Sequence, residues 1–154
     1  MLVLVILFVS LLIFRALGTV GISVFSTWMD CTRYALAVMF LFTSSARFTK
    51  MRHDFARMMP KAIPNPMAMV YFTGVCEILG AMGILVPRTR SLAGLCLCFF
   101  LVCVLPANIK AARESLTIGG RVATEPWLRV PMQLLFFVLV SWSTQPLCVF
   151  APTF

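Results

Sequence analysis

Glu77 lies well inside an unbroken apolar run, residues 67–86, and is the only carboxylate within any membrane-length stretch of the chain. A charge at the centre of a membrane helix costs roughly 2.5–3.5 kcal/mol even on lenient insertion scales. It must be offset by a buried partner, or kept for proton exchange or ligand contact. On a helix, its neighbours three and four residues away are Thr73, Gly74, Gly80 and Ala81. Such small side chains let another helix come close, so Glu77 is expected to face a bundle rather than lipid.

Arg15 is the first candidate partner. If the first and third long apolar segments both start at the cytoplasmic face, Arg15 and Glu77 lie at depths of about 20 Å and 15 Å at ~1.5 Å per residue. An arginine side chain spans that difference, and pairing is the usual way to accommodate buried charge. A second polar group is expected nearer the cytoplasm: Arg47, Asn108, Arg129 and Gln133. Asn108 follows Pro106, whose missing N–H frees a carbonyl one turn earlier. Arg129 and Gln133 are four apart and share a helix face. With Glu77 these residues could line a cleft open to the cytoplasm; the alternative is helix-end capping and headgroup contact.

Other chemistries lack their residues. There is one histidine, His53, and no second imidazole to make a metal site or bind haem. The cysteines at 31, 76, 96, 98, 103 and 148 form no C-x-x-C pair and read as small apolar residues; Cys31 and Cys148 could lie on the same non-cytoplasmic side, which would allow a bridge between them. There is no glycine-rich phosphate loop, no G-x-S-x-G and no H-E-x-x-H. The expected metal set is therefore none, and no catalytic residue is assigned.

These side chains need a scaffold, and composition names it. The chain has 154 residues, 61% hydrophobic and only 12% charged, against roughly 25% charged in soluble domains. This is the composition of a multi-pass membrane protein with one compact bundle. The net charge of +8 does not point to nucleic acid, because the basic residues sit in short loops between apolar spans, where topology and anionic lipid account for them.

The expected elements follow from periodicity and punctuation. Residues 1–25 hold a retained transmembrane helix. Thr27-Trp28-Met29-Asp30 reads as a capping box opening a second helix to about residue 48. Residues 50–59 place Met51, Phe55, Met58 and Met59 on one stripe and charges on the rest, an interfacial amphipathic helix. Pro60, Pro64 and Pro66 separate it from the Glu77 helix, which Pro87 ends. A fourth helix runs from 92 to about 105, where Pro106 kinks or ends it. Residues 116–124 suggest a hairpin around Gly119-Gly120. The last helix runs from about 128 to 143, with Trp127 and Trp142 as interface anchors, and 144–154 is an apolar tail too short to span. The expected fold class is an all-α membrane protein: a four-helix transmembrane domain, 27–143, plus the N-terminal helix. Nine basic residues on one side against three on the other (Arg33, Arg88 and Arg90) put the amino terminus in the cytoplasm and the carboxyl terminus outside.

Several segments resemble the DoxX family of small integral membrane proteins. They are Arg33-Tyr-Ala-Leu-Ala-Val, Tyr71-Phe-Thr-Gly-Val-Cys-Glu-Ile-Leu-Gly-Ala, Pro87-Arg-Thr-Arg-Ser-Leu-Ala-Gly, Pro106-Ala-Asn-Ile and Leu128-Arg-Val-Pro-Met-Gln. The likeness covers roughly residues 33–142 and leaves Arg15 in an added helix. It implies a four-helix membrane core, a bacterial inner-membrane location, and family positions at Glu77, Asn108, Arg129 and Gln133. The family is linked to quinone-dependent sulfur oxidation, membrane redox complexes and receptor chaperones, different trades on one scaffold. The leading expectation is a non-catalytic subunit or assembly factor of a membrane redox system, holding a quinone or lipid, with membrane-protein partners or a second copy of itself. The alternatives are a quinone-linked oxidoreductase subunit with Glu77 exchanging protons, and a small transporter or lipid-handling protein.

Overall fold

In the computed structural model the chain is helical throughout its long elements. The structure describes residues 2–59, 64–113, 117–118, 121–122 and 126–145; the side chains of 111–127 and of Arg129 lie outside that description. Among the described residues the helices are α1 (Leu2–Thr19), α2 (Trp28–Arg47), α3 (Arg52–Met58), α4 (Pro66–Leu85), α5 (Arg90–Arg113) and α6 (Pro126–Thr144), with a 3₁₀ turn at Ser23–Phe25. Three helices among the described residues are long and apolar enough to cross a membrane: Leu2–Thr19, Pro66–Leu85 and Arg90–Lys110. Val130–Thr144 is a shorter apolar helix. Between α5 and α6, β1 (Thr117–Ile118) pairs antiparallel with β2 (Arg121–Val122), Thr117 opposite Val122 and Ile118 opposite Arg121.

Local chemistry sets the boundaries. Thr27 caps α2: its hydroxyl oxygen accepts the Asp30 N–H at 3.1 Å and donates to Asp30 Oδ2 at 2.5 Å, which satisfies one of the free N–H groups at a helix start. Pro66 occupies the first turn of α4, where no intrahelical bond is lost. The first helix is shorter than expected. It ends at Thr19, not near residue 24, and Gly21 takes a left-handed φ of 105°, a conformation that suits glycine. Helix α5 is longer than expected. It runs through Pro106 to Arg113; the proline's missing N–H takes away one bond, to the Val102 carbonyl, and the helix continues on both sides of it. Helix α3 covers only the middle of the expected amphipathic stretch.

Helices α2 and α4, α4 and α5, and α5 and α6 pack antiparallel, as their paired contacts show. Helix α2 packs against α1, α4 and α6, and α5 joins α4 to α6. The core lies where these meet, around Leu36, Met39, Phe40, Ala81, Ile84, Leu97 and Val140. Small residues set the spacing. A Cβ added at Gly94 would fall 2.0 Å from Thr144 Oγ1, and one at Gly80 would fall 2.4 Å from a Leu97 methyl, so α5–α6 and α4–α5 approach closely only because glycine stands there. Helix α1 is peripheral: only Leu7 is buried, and Phe14 joins a ring cluster with Phe25 and Tyr34.

Candidate functional site

Antiparallel packing of α2 on α4 brings two matching polar rows together. Thr43, Ser44 and Arg47 face Thr73, Gly74 and Glu77, the spacing of one helical turn on each helix. The Glu77 carboxylate accepts two bonds from Arg47: Nη2 donates to Oε1 at 2.8 Å and Nε to Oε2 at 3.0 Å. Arg47 Nη1 donates to Thr73 Oγ1 at 3.0 Å. Thr43 Oγ1 adds a longer contact to Oε2 at 3.4 Å, and Ser44 Oγ donates to the Gly74 carbonyl at 2.8 Å. Glu77 is 4% exposed and Arg47 8%. Gly74 makes room for this arrangement, since a Cβ there would lie 3.0 Å from the Phe48 ring and 3.4 Å from Arg47 Cδ. The Phe55 ring of α3 covers the guanidinium, 5.3 Å from its carbon.

The expected Arg15–Glu77 pair is therefore corrected: Arg47 holds Glu77. Because α1 stops at Thr19, Arg15 stands one turn from the end of its helix, and its guanidinium turns to the inter-helix loop. Nη1 donates to the Ser26 carbonyl at 3.0 Å, and the group lies 4.7 Å from the Trp28 ring centre. Arg47, expected in a polar group nearer the cytoplasm, instead meets Glu77 itself and is enclosed by protein, with α3 folded back over the end of α2.

The expected single cleft separates into two clusters between different helix pairs. Asn108 and Gln133 meet between α5 and α6, where Asn108 Nδ2 donates to Gln133 Oε1 at 2.8 Å. Gln133 Nε2 in turn donates to the Leu101 carbonyl, within the stretch that Pro106 disturbs. Arg129 is on α6 but outside the described side chains. Asp30 pairs with Arg33, whose Nε donates to the Ser143 carbonyl at 2.6 Å, tying the start of α2 to the end of α6. Cys31, Cys76, Cys96, Cys98 and Cys103 are free thiols; Cys148 lies outside the described residues, and the side chain of Trp127 outside the described side chains.

Sequence reasoning missed the role of Thr43, Thr73 and Phe55, and it missed a groove. The signal for the threonines was present: Thr43 precedes Arg47 by one turn, as Thr73 precedes Glu77. The groove lies between α4 and α5, with a volume of about 1090 Å³. Apolar side chains dominate its walls, including Met69, Phe72, Leu79, Phe99 and Val104. Thr73 is one of its few polar residues, so the wall of the groove touches the Arg47–Glu77 cluster through one hydroxyl. That arrangement suits an apolar chain along the wall, with polar atoms near Thr73.

The fold and site define a helical protein with membrane-length apolar helices, built around a buried arginine–glutamate clamp. The chain matches a domain of unknown function, DUF8561, over residues 36–145, and it belongs to that family. The matched region holds Arg47, Glu77, Asn108 and Gln133 and leaves out α1 with Arg15. No curated protein and no solved structure matches the chain.

Proposed function

We propose that the chain is an inner-membrane protein of five spans, in which α2, α4, α5 and α6 form a four-helix transmembrane bundle and α1 is an added span. In this reading it is a non-catalytic subunit or assembly factor of a membrane redox system, and its α4–α5 groove holds a quinone or a lipid. The resemblance to the DoxX family supports the redox setting and the bacterial location. The basic residues around α3 and at Lys110 support a cytoplasmic position for that end of the bundle.

The observation that carries the binding role is the groove, apolar along its length and polar at Thr73. The observation that favours a non-catalytic role is the state of Glu77. Both carboxylate oxygens are engaged by Arg47, in the two-point geometry that fixes position and orientation. A proton-exchanging group needs a free oxygen facing its substrate, and this carboxylate serves first as a clamp between α2 and α4. The second reading, a quinone-linked oxidoreductase subunit, draws on the Thr73 hydroxyl, which connects the groove to Glu77 through Arg47.

The test is native mass spectrometry in mild detergent on wild type, Cys103→Trp and Glu77→Gln. Cys103 lines the groove and is exposed, so tryptophan fills the groove without entering the core. Wild type is expected to retain a quinone or lipid that Cys103→Trp loses. Equal retention by both, or none by wild type, refutes the binding role. Selective loss of a quinone in a folded Glu77→Gln protein moves the assignment to the oxidoreductase reading.

A further inference from the structure

The α4–α5 groove has a cationic mouth. Its walls end at Met59, Pro106 and Ala107, and the Lys110 ammonium is fixed beside them. Lys110 Nζ donates to the Met59 carbonyl at 2.7 Å and to the Arg57 carbonyl at 3.1 Å. Both acceptors are neutral, so these bonds hold the ammonium in place without cancelling its charge. An ammonium has three N–H groups. The Arg57 side chain, on the last turn of α3, is exposed. An apolar channel that opens beside a pinned lysine, with the Arg57 backbone at the same corner and its side chain exposed, matches a molecule with a hydrocarbon tail and an anionic head.

We infer that the groove takes an anionic phospholipid from the cytoplasmic leaflet, one acyl chain along α4 and α5 and the phosphate at Lys110 and Arg57. This rests on the reading of the groove as a binding site for an apolar chain. From Met69 to Gly83 the groove follows α4 for about 21 Å at ~1.5 Å per residue, whereas half a bilayer core is about 15 Å. A chain entering at the mouth fills the nearer two-thirds. Thr73 lies within that part, one turn from Met69. A quinone has the tail but no anionic head, so the basic mouth separates the two ligands. At the opposite end the groove reaches Thr89, whose hydroxyl donates to the Gly83 carbonyl at 3.0 Å; Arg88 and Arg90 flank it in sequence, and a lipid taken there is one outcome of the test.

The full chain in mild detergent is offered phosphatidylglycerol and phosphatidylcholine with identical acyl chains, and bound lipid is counted by native mass spectrometry. Wild type is expected to prefer phosphatidylglycerol. Each basic residue near a headgroup contributes about fivefold in affinity, so Arg57→Gln with Lys110→Gln lowers that preference by at least fivefold. Lys110→Arg keeps the charge and is expected to keep the preference, which separates charge from any folding defect. Cys103→Trp is expected to reduce both lipids together. An unchanged preference in the Arg57→Gln, Lys110→Gln variant overturns the inference, because the headgroup then sits elsewhere, at Arg88 and Arg90 or on the general surface. A ubiquinone analogue that displaces bound lipid while wild type shows no headgroup preference also overturns it and leaves the groove standing as a quinone site. If Cys103→Trp retains both lipids as wild type does, the groove reading itself fails.

Discussion

Removing Glu77 and removing Arg47 break the same pair but leave different remnants, and the difference is measurable. Their side chains are only 5% and 10% exposed. Glu77→Leu leaves a guanidinium with two of its three hydrogen bonds gone, and arginine cannot shed its proton to escape burial. The cost of an uncompensated buried charge is about 3–5 kcal/mol, a large part of a typical folding free energy of 5–15 kcal/mol. Arg47→Met leaves a carboxylate, which can take up a proton and become neutral, so about 1–3 kcal/mol is expected for its unsatisfied oxygens. The double variant, Glu77→Leu with Arg47→Met, leaves no charge and roughly fills the volume; it is expected to lie within about 1 kcal/mol of wild type. The assay is reversible unfolding in mixed micelles by titration with a denaturing detergent. The order of stability should be the double variant above Arg47→Met above Glu77→Leu. A Glu77→Leu protein as stable as wild type, or a double variant whose loss is the sum of the singles, would refute the clamp.

Three further outcomes follow from the packing. Gly94→Ala is expected to cost about 1–3 kcal/mol, because the new Cβ meets the Cβ of buried Thr144 at 2.6 Å; Gly80→Ala, which meets a Leu97 methyl, should cost less, and a reversed order in unfolding midpoints would contradict the geometry. Gln133→Leu leaves the Leu101 carbonyl and Asn108 without that partner and is expected to cost about 0.5–2 kcal/mol; an unchanged midpoint would remove Gln133 as the tie between α5 and α6. Arg15→Ala and Glu77→Gln should be additive within about 0.5 kcal/mol, as for residues with no shared partner, and a coupling beyond that would restore the pairing that the structure replaces.

Much of the scaffold was legible because its signals are local. The Thr27-to-Asp30 spacing marks a helix start whatever surrounds it, and Pro66 marks another. The apolar composition identified membrane-length helices without reference to any partner. Helix ends proved harder. The stop of α1 at Thr19 has one local signal, Gly21, which takes the left-handed φ just past the helix end; the apolar residues around it, Val20, Ile22 and Val24, mask that signal. Conversely, Pro106 is a helix breaker by local chemistry, yet α5, packed against both α4 and α6, continues through it to Arg113.

Glu77 illustrates the division for the site. Its sequence context alone required a partner, by the cost of burying a charge in an apolar helix, and its small-residue face indicated which way it turns. Which cation answers it depends on the height at which α2 crosses α4 and on the fold-back of α3, and these are sums of many weak packing contacts spread over distant residues. Those contacts selected Arg47 over Arg15. They also opened the groove between α4 and α5, because a groove is the space that two helices leave between them, and no single helix carries it in its own sequence.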